Sequence, residues 1–337
     1  MINEITDFNI RKFNTFGMNV NCARWIDYSE AEDLPVIFSQ IGEMSWRSIG
    51  GGSNMLFMSD YNGVLLHSRI MDIDMIPLGV GQVKIRVGAG VCFDELVNRC
   101  CEAGFYGIEN LSGIPGDTGA AAVQNIGAYG VELKDVVESV ECYDVIQNRF
   151  VVLPVNECQY GYRMSTFKLP ENRKRYVVTY VNIILSSTAK PNLEYGSLKD
   201  VVGTEGSPSP LCIREAVIAM RDSKLPNPQQ VGSAGSFFKN PVVDQSVYER
   251  ICAESDVCVP HYPVGDMVKI PAAWLIERCG WKGRSLGNAA VWHKQPLVLV
   301  NATGNACPKE ILSLEEAIKK DVASRFAINL EAEVDHI

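Results

Sequence analysis

The sequence predicts an α+β protein with mixed sheets, few helices and loops suited to holding a ligand. Short apolar runs and period-2 alternation recur in the first two-thirds of the chain, as in residues 83–87 and 177–185. Such runs are typical of β-strands. Apolar residues at the spacing of a helix occur in only a few segments. Three glycine-rich stretches lie among the predicted strands, and two of them contain more glycine than tight turns require.

The best-defined helix of the first half is predicted over residues 93–103. Its apolar residues recur three and four positions apart, so they form one face, and Gly104 follows as a stop signal. A second helix is predicted to run from Pro271, a residue suited to a first helical turn, to Gly280.

The C-terminal region predicts a helix followed by a strand. Ser313 and Glu316 have the spacing of a capping box, and Ile318, Val322 and Phe326 follow at helical intervals. We therefore expect a helix that begins at Ser313. Residues 329–334 are then expected to form a short closing strand.

Length and charge limit the classes of function. A chain of 337 residues, 47% hydrophobic, is expected to fold as two or three domains. Its net charge of −9 argues against binding to nucleic acid or to an anionic membrane, since both need a basic surface. No signal-peptide layout and no run of eighteen apolar residues is present, so we expect a cytoplasmic protein.

The eleven cysteines are interpreted as reduced core thiols, because the chain is long and most of them lie among apolar residues. No C-x-x-C pair occurs, and the four histidines are scattered along the chain. The usual zinc-ligand spacings are therefore missing, and we expect no metal site.

The glycine-rich stretches are residues 50–54 (Gly-Gly-Gly-Ser-Asn), 88–90 and 113–127. Each stretch taken alone is as well explained by tight turns. Their joint occurrence favours a large phosphate-containing cofactor, because glycine lets backbone N–H groups approach a ligand closely. None matches G-x-G-x-x-G or the Walker motif, so a Rossmann dinucleotide site and a P-loop kinase are not supported.

A second group of motifs lies downstream, at residues 160–163, 224–226 and 232–241. The last contains small residues, two phenylalanines and the polar residues Ser236, Lys239 and Asn240, a mixture typical of a ligand-facing loop. Ser236 lacks a G-x-S-x-G context, which argues against a serine hydrolase.

Together these motifs resemble the UDP-N-acetylenolpyruvoylglucosamine reductases, flavoproteins with the FAD-binding fold of the vanillyl-alcohol oxidase group. The resemblance extends over essentially the whole chain. It rests on residues 14–17, 50–54, 113–130, 162–163, 235–241 and 330–334. The last two motifs are Gly-Ser-Phe-Phe-Lys-Asn-Pro and Leu-Glu-Ala-Glu-Val. Their occurrence in this order towards the C-terminus is highly specific for the family.

The resemblance implies three parts of the chain. Residues 1–70, joined by 324–337, would form a first FAD-binding subdomain, residues 71–221 a second, and residues 222–323 a C-terminal α/β substrate-binding domain. The segment 191–196 is similar to the substrate-covering tyrosine loop of the family's first subclass. Tyr195 would then contact the uracil or the diphosphate of the substrate.

The family's reaction implies roles for three residues. NADPH reduces FAD, and the hydride then passes to the methylene carbon of the enolpyruvyl group of UDP-N-acetylglucosamine enolpyruvate. Negative charge develops on the adjacent carbon and its carboxylate. By resemblance, Arg163 and Glu333 polarise this group and stabilise the enolate, and Ser236 delivers the proton.

The resemblance also implies the binding residues. FAD should be non-covalent, because the glycine loops 50–54 and 113–130 contain neither histidine nor cysteine. The implied FAD-binding residues are Gly50, Gly51, Gly52, Ser53, Asn54, Ser112, Gly113, Ile114, Pro115, Gly116, Gly119, Ala120, Gln124, Asn125, Gly127, Ala128 and Tyr129. The implied residues for the sugar-nucleotide substrate are Tyr162, Tyr195, Lys224, Asn240 and Gln295.

Two other interpretations stay open at this point. The first alternative to the reductase is another non-covalent FAD oxidoreductase of the same fold, acting on an alcohol or hydroxy acid. The second alternative is a sugar-nucleotide binding module without catalysis. The second would be expected to lack Ser236, Arg163 or Glu333, and all three are present. We expect a monomer.

Overall fold

The computed structural model describes residues 1–188, 191–196, 198–203 and 207–337. The chain divides into two compact units. The first unit contains Met1–Phe8, Cys22–Gly51 and Tyr61–Arg221. The second contains Asn9–Asn21, Gly52–Asp60 and Asp222–Ile337. The second unit is therefore mainly C-terminal but includes two short pieces of the N-terminal region.

The helices of the described chain are α1 Asp33–Ile41, α2 Phe93–Glu102, α3 Thr118–Gln124, α4 Leu198–Val202, α5 Pro210–Lys224, α6 Gln245–Glu254, α7 Ala272–Arg278 and α8 Pro308–Phe326. Single 3₁₀ turns occur at Arg11–Phe13, Glu109–Leu111, Leu133–Asp135 and Thr166–Lys168.

The strands are β1 Ile2–Asn9, β2 Asn21–Tyr28, β3 Trp46–Ile49, β4 Met55–Leu56, β5 Tyr61–Ser68, β6 Ile73–Gly79, β7 Gln82–Gly88, β8 Gly127–Ala128, β9 Val131–Glu132, β10 Val137–Asp144, β11 Arg149–Pro154, β12 Tyr176–Ser186, β13 Gly232–Ser236, β14 Val242–Asp244, β15 Tyr262–Val264, β16 Met267–Lys269, β17 Ser285–Leu286, β18 Ala289–Val291, β19 Val298–Asn301 and β20 Asp335–His336.

The first unit contains two main sheets. One has the order β1-β2-β5-β3, and β5 pairs in parallel with both β2 and β3. The other is antiparallel with the order β11-β10-β12-β7-β6. Helix α2 packs its predicted apolar face into the core beside this second sheet. The strands predicted at 83–87 and 177–185 are confirmed as the middle parts of β7 and β12.

The second unit is built around helices α7 and α8. Its larger sheet has the order β13-β19-β18-β17, and a three-stranded sheet has the order β14-β16-β15. Residues of α7 and α8 share one apolar core with Phe16, Phe237 and Phe238. The segment Asn9–Asn21 thus contributes to the core of the unit to which it belongs.

Two predicted helices are confirmed with nearly the expected bounds. Helix α2 ends at Glu102, and Gly104 adopts a φ of 79° beyond it, as expected of a C-terminal stop. Helix α7 begins directly after Pro271 and ends at Arg278.

The predicted start of the C-terminal helix is wrong. Helix α8 begins at Pro308, and its capping box joins Cys307 to Glu310, whose carboxylate accepts the Cys307 N–H at 2.8 Å. Pro308 has the φ angle that a first helical turn needs, so the helix starts earlier than Ser313. Ser313 lies inside the helix.

The predicted closing strand is also displaced. Residues before Asp335 form only an isolated bridge between Ala332 and Phe238, and the regular strand β20 pairs in parallel with β4. The segment changes partner, since Glu333 donates its N–H to the Phe237 carbonyl but Asp335 donates to that of Asn54. A continuous ladder over 329–334 therefore does not form.

The eleven cysteines are all free thiols. Five are buried, as expected, at positions 22, 100, 101, 142 and 158. Burial raises the pKa of Cys22 to about 11, which keeps this thiol protonated at neutral pH. The prediction of core thiols is wrong for Cys92, Cys212, Cys258 and Cys307, which are exposed.

A helix that crosses a bilayer must be both long and apolar. Among the described residues, no helix combines the two properties.

Candidate active site

The three glycine-rich stretches meet in the first unit. A Cβ atom at Gly51 would lie 3.2 Å from the Gly116 Cα, and one at Gly119 would lie 2.7 Å from the Ala89 Cβ. Gly116 has a φ of 112°, which residues with side chains rarely adopt. The absence of side chains at these glycines therefore allows three backbone segments to approach one another. Three separate tight turns would not require such contacts between them.

This arrangement has the donors that a diphosphate requires. Within the described part of the chain, no backbone carbonyl accepts a hydrogen bond from the N–H groups of Gly51 or Gly116. Free N–H groups on two touching glycine loops form a concave donor surface for an anion. The residues of the first unit thus fit the diphosphate of FAD, the cofactor expected from the sequence.

The rest of the 50–54 loop belongs to the second unit. Gly52 has a φ of 58°, and a Cβ there would lie 2.1 Å from the Phe13 carbonyl oxygen, so only glycine fits. Asn54 donates its side-chain amide to the Glu333 carbonyl oxygen at 3.1 Å. This contact joins a predicted cofactor residue to a predicted catalytic residue.

The motif at residues 14–17 has a structural role. The amide of buried Asn14 donates to the carbonyl oxygens of Ile10 and Met18, and its Oδ1 accepts the Met18 N–H at 2.8 Å. The Thr15 N–H donates to the Gly52 carbonyl oxygen at 3.2 Å. The motif therefore supports the turn at Gly52.

Several predicted FAD residues in and around α3 make hydrogen bonds within the protein. Asn125 caps α3 with a φ of 46° and donates its amide to the Gly161 carbonyl oxygen at 2.9 Å. Gln124 accepts a hydrogen bond from Lys168 at 2.6 Å, and the Ser112 hydroxyl donates to the Glu109 carbonyl oxygen. These side chains form hydrogen bonds within the protein, so any contact with FAD would use their backbone groups or their remaining hydrogen-bonding atoms.

Arg163 adopts a strained backbone conformation at the predicted site. Its φ is 54°, and its guanidinium donates to the Gly127 carbonyl oxygen at 2.8 Å. Its guanidinium carbon lies 5.5 Å from the centre of the Tyr162 ring. The 161–163 and 125–127 segments of the first unit are therefore bound to each other.

The predicted tyrosine loop contacts the end of the 113–130 loop. The Tyr195 ring packs edge-on against Tyr129 with 5.9 Å between centroids, and Tyr195 is 45% exposed. Asn192 donates to the Gly130 carbonyl oxygen at 3.0 Å. Buried Asn110 donates to the carbonyl oxygens of both Tyr129 and Asn192, each at 2.8 Å.

Asn110 is a residue that the sequence analysis missed. It is fully buried, and its Oδ1 has no hydrogen-bond partner among the described residues. An isolated asparagine in a loop carries no distinctive pattern, so only the folded chain identifies it as the link between two predicted ligand loops.

Ser236 and Glu333 are brought close together in the second unit. Ser236 ends β13 after Gly235, whose φ is 68°. The next residue, Phe237, accepts the Glu333 N–H at its carbonyl oxygen at 2.8 Å. Lys239, from the same motif as Ser236, forms an ion pair with Glu331 at 3.2 Å.

The other predicted substrate residues are more dispersed. In the second unit, the Asn240 Oδ1 accepts the Ala272 N–H at 2.9 Å at the start of α7, and the Lys224 carbonyl oxygen accepts the Trp292 indole N–H at 3.0 Å. The Gln295 carbonyl oxygen accepts the Val298 N–H at 3.0 Å. These bonds use neither the Lys224 ammonium nor the Asn240 amide nitrogen.

A partly buried acidic residue, with 17% of its side chain exposed, lies beside the glycine loops. Asp117 precedes α3, and its Oδ2 lies 3.0 Å from the position of a Cβ at Gly50. Burial raises the pKa of Asp117 to about 6, and nearby His67 and Arg69 oppose this rise. The sequence analysis selected neither Asp117 nor His67. Among the described residues, no group of three or more histidine, cysteine or acidic side chains has the arrangement of a metal site.

These observations define the chain as an FAD-binding protein. An FAD-binding-domain model matches residues 36–146, and the model described as the C-terminal domain of UDP-N-acetylenolpyruvoylglucosamine reductase matches residues 227–337. The chain belongs to the UDP-N-acetylenolpyruvoylglucosamine reductase family.

Relatives bearing that name match along almost the whole chain. The reductase of Bacteroides fragilis strain YCH46 is 42% identical over 332 residues, which cover 98% of this chain and 99% of the relative. That of Porphyromonas gingivalis ATCC 33277 is 40% identical over 335 residues, 98% of each chain. The crystal structure of the reductase from Thermus caldophilus has a TM-score of 0.69 at 23% identity, covers 100% of this chain and 98% of its own, and shows the shared fold.

Proposed function

We propose that this protein reduces UDP-N-acetylglucosamine enolpyruvate to UDP-N-acetylmuramate, with FAD as cofactor and NADPH as reductant, in the synthesis of peptidoglycan precursors. The observation that carries the proposal is the hydrogen-bonded group in the second unit. Glu333 is bound through its N–H to Phe237, the neighbour of Ser236, and through its carbonyl oxygen to Asn54 of the glycine loop.

The reaction sets the chemical requirements. FAD, which residues 50–54 and 112–129 would hold, would supply the hydride chemistry between NADPH and the methylene carbon of the enolpyruvyl group. The adjacent carbon then carries negative charge that is shared with the substrate carboxylate, and it must gain one proton. The protein therefore has to stabilise an enolate and supply an acid.

We assign the enolate stabilisation to Arg163 and Glu333. The planar guanidinium of Arg163 offers several donors in a fixed geometry to a carboxylate. Its hydrogen bond to Gly127 and its constrained backbone limit reorganisation during the reaction. Glu333 stabilises an enolate only in its protonated form, because an ionised carboxylate would repel the developing charge.

We assign the proton transfer to Ser236. A serine hydroxyl is a weak acid, but an enolate carbon is a strong base, so the transfer is favourable. The hydroxyl follows Gly235 at the end of β13, where the ladder with β19 is irregular. The pairing of Lys239 with Glu331 makes this lysine the less favourable proton donor.

We assign binding of the sugar nucleotide to Tyr162, Tyr195, Lys224, Asn240 and Gln295. The Lys224 ammonium and the Asn240 amide suit the diphosphate oxygens, and the exposed Tyr195 ring suits a base or sugar face. FAD contacts are assigned to residues 50–54 and 112–129. In this scheme residues 1–70 with 324–337, 71–221 and 222–323 act as two FAD subdomains and a substrate domain.

The free cysteines suit a reducing compartment, and we propose that the protein works in the cytoplasm as a monomer. Size-exclusion chromatography with light scattering tests the second point, since a mass near 37.2 kDa is expected.

The function is tested with purified protein and two substrates. We expect a yellow protein that oxidises NADPH when UDP-N-acetylglucosamine enolpyruvate is added, forms an equal amount of UDP-N-acetylmuramate, and releases its flavin on acid precipitation. UDP-N-acetylglucosamine, which lacks the enolpyruvyl group, should not support turnover. A colourless protein that takes up no added FAD, or NADPH oxidation without product, would contradict the proposal.

A further inference from the structure

A single buried amide joins the two loops that carry Tyr129 and Tyr195. Asn110 is fully buried in the 3₁₀ turn Glu109–Leu111 of the first unit. Its Nδ2 donates to the carbonyl oxygens of Tyr129 and Asn192, each at 2.8 Å. The amide therefore uses both of its N–H groups on carbonyl groups that lie 19 and 82 residues further along the chain.

These two acceptors determine the orientation of the amide. A carbonyl oxygen only accepts hydrogen bonds, so the NH₂ group of Asn110 has to face Tyr129 and Asn192, and Oδ1 is not used by either. Among the described residues, Oδ1 has no hydrogen-bond partner. An unpaired buried acceptor destabilises a fold. The two N–H groups, and not a contribution to the core, therefore explain why an asparagine occupies this position.

The turn that carries Asn110 is a firm base. The carboxylate of buried Glu109 accepts the Gly107 N–H at 2.5 Å, and its carbonyl oxygen accepts the Ser112 hydroxyl at 2.6 Å. Leu111 is fully buried in the core beside the antiparallel sheet. The segment 191–196, in contrast, contains no helix or strand. If the amide were lost, this segment would therefore move more readily than the turn.

Two further contacts hold the segment 191–196 on the same surface. The Asn192 Nδ2 donates to the Gly130 carbonyl oxygen at 3.0 Å. Leu193 and Tyr129 both pack against a small apolar core formed by residues of α4 and α5. The Tyr195 ring meets Tyr129 edge-on and stays 45% exposed. The backbone is thus attached at two successive residues, and the exposed ring follows two residues later.

We propose that Asn110 is a positioning residue that fixes the segment 191–196 on the end of the 113–130 loop, so that Tyr195 is in place before the sugar nucleotide binds. The inference rests on the function proposed above. Asn110 is fully buried, so it acts through the loop and not by touching the substrate. A loop that is already ordered loses less conformational entropy when a ligand binds, and affinity is higher for that reason.

The test compares Asn110→Leu with the parent, both saturated with FAD. Leucine has nearly the shape of asparagine but donates no hydrogen bond. We expect the Kd for UDP, measured by calorimetry without turnover, and the KM for the enolpyruvyl substrate each to rise about tenfold, as for the loss of two ordinary hydrogen bonds. The value of kcat should change less than about threefold, because loop order affects the ground state and the transition state alike.

Asn182→Leu is the matched control. Asn182 is a buried asparagine of β12 in the same unit, and its amide donates to Glu141, which also accepts two hydrogen bonds from Arg86. This change should lower the melting temperature and leave both binding constants unaltered. In the double variant Asn110→Leu/Tyr195→Ala, the Asn110 change should add little to the effect of Tyr195→Ala, since both act through the same ring.

A folded Asn110→Leu protein with the parent's Kd for UDP and the parent's KM would overturn the proposal. So would an undiminished effect of Asn110→Leu in the Tyr195→Ala background. If Asn110→Leu does not fold, Asn192→Ala tests the same attachment from its exposed side, because it removes the hydrogen bond to Gly130 and should raise both constants. Unchanged constants there would refute the proposal. A parent that binds UDP but does not turn over the enolpyruvyl substrate would instead contradict the proposed function.

Discussion

Several residues other than glycine adopt left-handed backbone conformations in the proposed ligand region of the first unit. Asn125, Tyr129 and Arg163 have φ values of 46°, 48° and 54°. Such conformations cost free energy in residues with a Cβ and persist where the surroundings determine them, often at functional sites. The hydrogen bonds of Asn125 to Gly161 and of Arg163 to Gly127 provide that support. The strain is therefore local and is maintained by contacts between the two segments that carry these residues.

At the residue scale, the role of Glu333 is tested by two replacements. Glu333→Ala removes the acid, and we expect kcat to fall about 10²- to 10³-fold, the usual cost of losing one donor to a developing anion. Glu333→Gln keeps an N–H donor, so part of the activity should remain. The measurement is steady-state NADPH oxidation with saturating substrate.

The matched control is Glu331→Ala, two residues earlier on the same segment, where the side chain is 75% exposed and paired with Lys239. An exposed pair contributes little, so the rate should stay close to the parent value. A Glu333→Ala protein with the parent's kcat would remove Glu333 from the mechanism.

At the element scale, the Tyr195 loop is expected to contribute to substrate binding. Tyr195→Ala should raise the KM for the sugar nucleotide more than it lowers kcat, because contacts far from the reacting carbon stabilise the ground state and the transition state alike. Initial rates over a range of substrate concentrations give both constants. Tyr262→Ala removes a ring of similar exposure, 44%, from β15 and serves as the control. An unchanged KM for Tyr195→Ala would place the loop outside the site.

The contact between the glycine loops is expected to determine cofactor affinity. In Gly51→Ala, the new methyl group would lie 3.2 Å from the Gly116 Cα, so the two loops would have to separate by a few tenths of an ångström. We expect the Kd for FAD to rise roughly tenfold, because overpacking displaces the donor groups of both loops. Fluorescence titration of the apoprotein measures this change.

Gly104→Ala is the control for a general loss of stability. Gly104 has a φ of 79° with no atom within 4 Å of the added Cβ, so the replacement strains the backbone at the end of α2 by about 1 kcal/mol. It should lower the melting temperature and leave the Kd for FAD unchanged. Equal FAD affinity in Gly51→Ala and the parent would argue against a diphosphate at these loops.

The elements differ in how far the sequence determines them. Helix α2 and the strands β7 and β12 were predictable, because each has a clear apolar period and local stop signals. The start of α8 was not, because two capping signals compete and Pro308 favours the earlier one. The C-terminal segment changes hydrogen-bonding partners along its length, a property that local sequence does not encode.

The residues of the predicted site also differ in how far the sequence identifies them. The glycine loops and the residues Arg163, Ser236 and Glu333 were found from motifs, because their spacing is distinctive. Asn110, His67 and Asp117 were missed, since each acquires its significance from partners that are distant in sequence. Asn110, for example, bonds to a carbonyl group 82 residues away.

At the scale of the whole molecule, the chain carries a net charge of −9 and is proposed to bind FAD, NADPH and a UDP-sugar, which are all anionic. The overall field therefore opposes binding, and affinity has to come from local groups. The free N–H groups of Gly51 and Gly116, the guanidinium of Arg163 and the ammonium of Lys224 are such groups. This distribution explains why no basic surface is needed.

The central claim is that FAD carries hydride from NADPH to the enolpyruvyl group and that Ser236 supplies the proton. Anaerobic stopped-flow absorbance tests both parts in one series. NADPH should bleach the flavin of the parent protein, and UDP-N-acetylglucosamine enolpyruvate should then restore its colour. Ser233→Ala, a replacement three residues earlier on β13, should behave like the parent.

Ser236→Ala should bind FAD and be reduced by NADPH nearly as the parent is, because the hydroxyl acts only after hydride leaves the flavin. On adding the enolpyruvyl substrate, the flavin absorbance of this variant should recover more slowly than that of the parent by about 10²- to 10⁴-fold, the usual cost of removing a general acid. Recovery at the parent's rate would contradict the role of Ser236, and a parent flavin that NADPH bleaches but the enolpyruvyl substrate does not reoxidise would contradict the account as a whole.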